Sequence, residues 1–165
     1  MPASLEIRND RLGEVAEAVE ALTRNAVYVG IPATAPPRKD EPITNASIAY
    51  VHEHGSPALN IPPRPFLRPG VASAAEPLAE RLEDAARLAM DGNRNGVLRT
   101  LHAVGLIAQA AVRRKITEGP FAALSERTLA ARRARGVTRT KPLIDTGQLR
   151  NAINYVVRGP WFGGK

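Results

Sequence analysis

Apolar residues recur every three or four positions in two long stretches of this chain, which is the spacing of one face of an α-helix. The pattern predicts one helix over about 70–91 and another over about 94–117, separated by Asp91-Gly92-Asn93. The first is expected to bury Val71, Ala74, Leu78, Leu82 and Ala85. The second is expected to bury Val97, Leu101, Val104, Ala108, Ala111 and Val112, with Gly105 allowing another backbone to approach closely.

Three shorter helices are predicted from the same spacing and from residues that favour helix starts and ends. The first covers about 9–23, begins at Asn9 or Asp10, and is expected to bury Leu12, Val15, Ala16, Val19 and Leu22. The second begins at Thr44 or Asn45 and ends before Gly55. The third covers about 126–134 and follows Ser125.

Two runs rich in β-branched residues, 26–31 and 153–157, predict strands. With the helices they indicate an α+β fold, in which a small mixed sheet packs against several amphipathic helices within a single domain, 1–165. Residues 33–42 are rich in proline and charge and are expected to form a mobile loop. A loose C-terminus is expected over about 158–165.

The segment 61–70, here called the proline strap, contains four prolines, which fix φ and remove backbone donors. It is either an ordinary stiff connector between packed pieces or an edge that lies against a neighbouring subunit. In the second interpretation Arg64 pairs with a carboxylate of the next subunit. The predicted subunit-interface residues are Pro63, Arg64, Pro65, Phe66 and Arg68.

The composition limits what the core and the chemistry can be. Aromatic residues make up 4% of the 165 residues and cysteine is absent. The core is therefore expected to be aliphatic, without disulfides or thiolate metal sites. Neither a membrane-spanning run nor a signal peptide is recognised in the sequence, so an intracellular, soluble protein without a membrane partner is expected.

Charge is unevenly distributed within the net value of +7. Residues 1–80 contain 7 basic and 10 acidic side chains, whereas residues 81–141 contain 13 basic and 5 acidic ones. The second half is therefore expected to meet DNA without sequence specificity, to meet an acidic protein face, or to be merely solvated. The candidate contact residues are Arg132, Arg133, Arg135, Arg139 and Lys141.

Two short motifs invite a chemical interpretation. Asp145-Thr146-Gly147 matches the local sequence of an aspartic protease, but that chemistry needs a second carboxylate. The chain has no second copy of the motif, so only a dimer could supply it. We therefore expect Asp145, Thr146, Gly147 and Gln148 to form a structural turn in which Asp145 caps the backbone and Gln148 reaches back.

The second motif is His52-Glu53-His54, which resembles a pair of metal ligands. Residues two apart on a helix diverge by about 200°, so we expect no shared ion. Instead the histidines are expected to lie in a last helical turn, where protonation is favourable. His102 is expected to be a packed side chain. No set of nucleophile, base and oxyanion donors is recognised, so neither an enzyme, nor a cofactor, nor a small-molecule substrate is predicted.

Three stretches of the chain, taken in order, resemble the sequence pattern of one known protein family. They are 27–32; then 45–67, with His52-Glu53-His54-Gly55 and the proline strap; then 124–157, with Lys141-Pro142-Leu143-Ile144-Asp145-Thr146-Gly147-Gln148-Leu149. In this order and spacing they resemble the tail-completion and virion-morphogenesis proteins of tailed bacteriophages, minor components of the head–tail junction. The charged proline loop before residue 43 and the Gly-rich C-terminus depart from that family's pattern.

The resemblance implies an α+β subunit that assembles into a ring, commonly a hexamer, and that joins the tail tube to the head connector. It implies a location at the neck of the virion, and in the host cytoplasm during assembly, with connector, stopper and tube proteins as partners and possible contact with packaged DNA. It implies no catalysis. The alternative hypothesis is a basic module that binds nucleic acid without sequence specificity.

Overall fold

A computed structural model describes residues 10–32 and 43–159 of the chain. Helices and a small sheet confirm the α+β class. The predicted loop at 33–42 and residues 160–165 of the predicted loose C-terminus lie outside the described residues. In chain order the elements are α1 (Leu12–Thr23), β1 (Ala26–Gly30), α2 (Asn45–His54), a 3-10 helix (Pro57–Leu59), α3 (Leu67–Ala72), α4 (Ala75–Met90), α5 (Arg94–Glu118), α6 (Glu126–Ala134), α7 (Gln148–Ala152) and β2 (Asn154–Arg158).

Helix α5 is the centre of the fold and contacts α1, α3, α4 and both strands. All six apolar residues predicted for its stripe are buried. Glycines provide its closest contacts. The ring of Tyr155 lies where a Cβ on Gly105 would be, and a Cβ on Gly70 of α3 would lie 2.8 Å from the Cα of Val112. At Gly105 the close neighbour is thus a side chain, whereas the close backbone approach expected there occurs at Gly70.

The strands β1 and β2 confirm both predicted runs to within one residue. Among the described residues they form a two-stranded antiparallel sheet, in which Val27 pairs with Val157 and Val29 with Tyr155. The sheet packs on α5, so each strand has one face turned towards the helix.

The predicted helix over 70–91 is two helices, α3 and α4, with a break at Ser73 and Ala74. Helix α3 begins inside the proline strap, and Pro69 is its third residue. A proline is tolerated there because backbone N–H groups in the first turn have no partner within the helix. The strap is therefore extended only up to about Phe66.

The face of α1 that packs inward only partly matches the predicted one. Ala18 and Ala21 are the buried residues, whereas Leu12 is 76% exposed and Ala16 is also exposed. Val19 and Leu22 are partly buried and pack against the same cluster as Ala18 and Ala21. The small side chains of the two alanines let α1 approach α4 and α5 closely, so the inward face is rotated away from Leu12 and Ala16.

Helix α1 begins behind Arg11, and no side chain caps it, so the predicted start at Asp10 is wrong, although Asp10 accepts a hydrogen bond from the backbone N–H of Leu12 at 3.0 Å. Asn9, the other predicted start residue, lies outside the described residues.

Two further side chains predicted to be packed are exposed. Leu82 of α4 is 44% exposed, and His102 lies on the outer side of α5 with its ring edge-on to Tyr155. The described core divides into two clusters. One, which we call the α1 cluster, contains Ala18, Ala21, Ala89, Val97 and Leu101. The other, which we call the strap cluster, contains Phe66, Val112, Ile116, Leu143, Leu149 and Ile153.

Candidate functional site

The sequence motifs meet around the C-terminal end of α2. This helix begins as predicted, because the Thr44 hydroxyl accepts a hydrogen bond from the backbone N–H of Ser47 at 3.1 Å. It ends at Gly55, whose φ of +78° favours glycine. The proline strap then runs back past the last turn of α2, and the backbone N–H of Arg64 donates to the carbonyl of His52 at 2.6 Å.

Glu53 binds the end of the strap through its carboxylate. Oε2 accepts from the backbone N–H groups of Phe66 and Leu67 at 2.7 and 2.9 Å, and Oε1 accepts from that of Arg68 at 3.1 Å. These are the unpaired donors at the start of α3, where negative charge is favourable. This role of Glu53 was not predicted from the sequence, although the few N–H groups that remain among the prolines were a signal that an acceptor was required.

We expect Glu53→Gln to lower the free energy of unfolding by about 1–2 kcal/mol, because the amide retains one acceptor where the carboxylate had two. Urea denaturation at neutral pH measures this difference. Glu80→Gln is the matched control, since Glu80 is exposed on α4. Equal losses for the two variants would contradict the clamping role of Glu53.

Arg64 lies inside the subunit with 5% of its surface exposed. Its Nε donates to the carbonyl of Ala122 and its Nη2 to the carbonyl of Ala123, both at 2.8 Å. Phe66 is 1% exposed and belongs to the strap cluster. The prediction of free interface side chains is therefore wrong for these two residues, because the strap docks onto its own subunit. Pro63, Pro65 and Arg68 are exposed, and their interface role stays a prediction.

Arg132 organises the segment that follows α6. It is 6% exposed, and the two hydrogens of its Nη1 are shared among the carbonyl oxygens of Arg139, Lys141 and Ile144 at 2.9, 2.9 and 3.1 Å. Leu143 lies within this loop with φ of +62°, an uncommon value for a side chain of its size, and is buried in the strap cluster. The arginine thus holds a strained loop against the core.

Asp145 closes the same loop, and its predicted capping role is wrong. Oδ2 accepts from Nη2 of Arg135 at 2.8 Å, while Oδ1 lies 3.8 Å from Nε of Arg132. The carboxylate faces two arginines and not the backbone of α7. The residue before α7 is Gly147, with φ of +87°, and no side chain caps this helix. Gln148 was predicted to reach back with its side chain. Instead, its backbone N–H donates to the hydroxyl of Thr146 at 3.4 Å.

The basic run predicted to contact an acidic partner is largely engaged within the subunit. Besides Arg132 and Arg135, Arg139 donates to the carbonyl of Asp145 at 2.8 Å and Lys141 to that of Thr117 at 3.3 Å. Arg133 is exposed and lies 3.8 Å from Glu126. For Arg132 the prediction of an accessible contact is wrong, because burial places its charge out of reach of a partner. For the others it stays a prediction.

His52 is half-buried between the two structural arginines. Burial lowers its pKa below the ordinary value, and the charges of Arg64 and Arg132 lower it further. The expectation that protonation is favourable in this last turn is therefore wrong for His52. His54 is exposed, and its ring lies 4.4 Å from that of Tyr50. Within 10–32 and 43–159, no group of three or more side chains of metal-ligand type comes together.

The free energy of unfolding is expected to fall as the pH drops below about 6.5, the ordinary histidine value. The unfolded chain binds a proton on His52 in that range while the folded chain resists it, so acid favours unfolding. Above that range the contribution is fully present. Urea denaturation between pH 7.5 and 5 measures the slope, and His52→Gln should make it shallower. An identical slope in both proteins would contradict this environment for His52.

Within the described ranges, no helix is long and apolar enough to cross a membrane. Comparison with protein-family models, with curated proteins and with solved structures finds no match for this chain.

Proposed function

We propose that this chain is a structural subunit of a tailed-phage virion, which forms a ring at the neck and joins the tail to the head. One observation carries the proposal. The three stretches that resemble the tail-completion family all contribute to the strap cluster, although up to about 130 positions separate them. The first provides Val29 and Ile31, the second Ile48 and Phe66, and the third provides Leu143, Leu149 and Ile153.

The polar residues of the same motifs support a structural role. Glu53, Arg64 and Arg132 bind backbone groups, and Asp145 binds the side chain of Arg135. Each of these contacts fixes a loop onto the core. Asp145 faces arginines, whereas the protease interpretation needs a second carboxylate that shares its proton. The motifs therefore support a single fixed conformation of the subunit, which a component of an assembly needs.

Exposed apolar side chains support the existence of partner surfaces. Several large side chains on different elements are more than half exposed: Leu12 at 76%, Met90 at 69%, Tyr50 and Leu59 at 66%, and Leu106 at 56%. Single exposed apolar residues are common on any protein. A subunit with several neighbours covers such side chains on more than one of its faces.

The proposal is tested by removing the gene from a phage that carries it. DNA-filled heads and complete tails are expected to accumulate unjoined, and the protein supplied in trans should restore joined particles. Joined, infective particles in the absence of the protein would contradict the proposal. Electron microscopy of the lysate distinguishes the two results.

The alternative hypothesis, a basic module that binds nucleic acid, has less support because the densest basic run is engaged within the subunit. It predicts DNA affinity that falls steeply with salt concentration. A titration of duplex DNA at two salt concentrations measures this directly. Tight binding that survives Arg133→Ala and Arg127→Ala would place any DNA contact on another surface.

A further inference from the structure

A cavity of about 670 Å³ opens between the proline strap and the start of α6, and we call it the strap cavity. The end of α2, the segment that leads into the strap, and residues 123–128 form its walls. Apolar side chains line much of it, among them Pro57, Ile61, Pro63 and Leu124. Apolar walls with a few polar groups between them are typical of ligand-binding cavities.

Positive charge in the strap cavity has no counterpart. Its lining includes Arg64, His52 and His54, and none of the described residues that line it carries a carboxylate. The adjacent cavity, on the other side of His52, differs in this respect. It is lined by arginines together with Asp145, which pairs with Arg135 at 2.8 Å. One cavity thus contains its own anion, and the other lacks one.

Arg64 has a nitrogen to spare after it has docked the strap. Its Nε and Nη2 donate to the carbonyls of Ala122 and Ala123, whereas Nη1 has no hydrogen-bond partner among the described residues. The side chain lines the cavity although the residue is only 5% exposed. A guanidinium has five N–H donors, and a carboxylate is a strong acceptor for them. A ligand carboxylate can therefore bind Arg64 without displacing the strap.

His52 adds a second polar group without a partner. Its Nδ1 is buried and forms no hydrogen bond. Because the charges of two nearby arginines disfavour protonation of the imidazole, an anion beside the ring would offset them. The ionisable groups that line the two cavities together with His52 are Arg64, His54, Arg132, Arg135 and Asp145.

The start of α6 is a third feature that favours an anion. Ser125 and Thr128 line the cavity, and the Ser125 hydroxyl accepts from the backbone N–H of Thr128 at 3.3 Å. Helix α6 has nine residues, and the first turn of a helix carries partial positive charge. The helix start and the buried Arg64 therefore favour negative charge in the same cavity.

We propose that the strap cavity binds an acidic side chain of a partner protein, with the carboxylate next to Arg64 and His52 and its apolar neighbours against the prolines. This inference goes beyond the proposed function and holds whether or not the chain acts at the neck. Duplex DNA is less well matched, because it presents a row of phosphates that several cations must meet. The described lining contains one arginine and no lysine.

The test is a titration of the isotope-labelled full chain, followed by NMR. The probe is a capped tripeptide with a central glutamate between two leucines, and the control is the same peptide with a central glutamine. The glutamate peptide should shift the backbone amide signals of Asn60, Ser125 and Thr128. The glutamine peptide should bind at least about tenfold more weakly, since it lacks the charge that pairs with Arg64.

Asn60→Asp should block the site, because it places a carboxylate of the chain itself in the lining. Asn60 is exposed, and its φ of +52° is tolerated by aspartate as well as by asparagine. The glutamate peptide should bind this variant at least about tenfold more weakly than the wild type. Leu59→Asp is the matched control, since the neighbouring Leu59 is 66% exposed and does not line the cavity. It should bind within about twofold of the wild type at physiological salt.

Binding should also tighten as the pH falls from about 7.5 to about 5.5, by at least about threefold, while the peptide carboxylate remains ionised. A bound carboxylate favours protonated His52, and by linkage protonated His52 favours the carboxylate. His52→Gln should bind with an affinity that no longer changes over this range. This readout distinguishes contact at His52 from attraction to the net positive charge of the chain.

Several outcomes would overturn the inference. Equal affinity for the two peptides, absence of shifts at the cavity amides, or unchanged binding by Asn60→Asp would each place the carboxylate elsewhere or nowhere. If inorganic phosphate or duplex DNA displaces the glutamate peptide at a lower concentration than the peptide itself needs to bind, the ligand is a phosphate and the assignment to an acidic side chain is wrong. The comparison of the two peptides needs no variant, so it decides the matter even if a substitution prevents folding.

Discussion

Arg132→Ala is expected to lower the free energy of unfolding by about 3 kcal/mol, a large fraction of the stability of a domain of this size. The side chain donates to three carbonyl groups of the loop after α6 and lies 3.8 Å from Asp145. Without it these acceptors have no replacement donor among the described residues, and Leu143 loses the constraint that holds its unusual backbone conformation. Urea denaturation of the purified protein measures the change.

Arg133→Ala is the matched control for this prediction. Arg133 is the next residue on the same helix, but its side chain is 67% exposed, and its pairing with Glu126 spans 3.8 Å. Exposed pairs of this kind contribute at most about 1 kcal/mol. If the two alanine variants unfold at the same urea concentration, Arg132 does not organise the loop as described.

Arg64→Glu is expected to have the second large effect, a loss of about 4 kcal/mol that leaves the isolated subunit partly or fully unfolded. The guanidinium donates to the carbonyls of Ala122 and Ala123 from a position that is 5% exposed. A carboxylate there would face two carbonyl oxygens without a donor, and burying an unpaired charge is strongly unfavourable. Circular dichroism and thermal unfolding of the monomer measure this loss.

Arg68→Glu provides the control, because Arg68 belongs to the same strap and is exposed. It should leave the monomer as stable as the wild type to within about 0.5 kcal/mol. The comparison also separates two roles of the strap. A stable Arg64→Glu monomer that fails only in assembly would show that the strap is an edge between subunits, contrary to its position in the structure.

Regular elements were predictable from the sequence where the pattern is long and local. Helix α5 extends over 25 residues, so its apolar period is repeated often enough to define which face is buried. The two strands were predictable because β-branched residues cluster between polar or proline boundaries. In each case the information lies within the segment itself.

The orientation of α1 was not predictable because it depends on the partner helices. Ala18 and Ala21 carry little hydrophobic surface, yet they permit a closer approach than Leu12 would. The helix within the strap was missed for a related reason, since Pro69 is compatible with a first turn only when a cap such as Glu53 satisfies the preceding N–H groups.

Buried arginines are the clearest case of information that is absent from local sequence. Arginine is mostly a surface residue, so Arg64 and Arg132 were assigned to partners by default. Their acceptors are backbone carbonyls of irregular segments, and for Arg64 these lie 58 and 59 residues away. Carbonyl groups occur at every position, so no side-chain pattern marks the few that lack a partner.

Labelling of intact particles tests the proposal that this chain is a ring-forming component of the phage neck. Antibodies raised against the exposed segment around Leu59, or gold bound to a tag on the protein, would locate the chain in electron micrographs of purified virions. If the proposal holds, the label will lie at the junction between head and tail, in several copies per particle. Particles that lack the protein, or label spread over the capsid or the tail fibres, would contradict it.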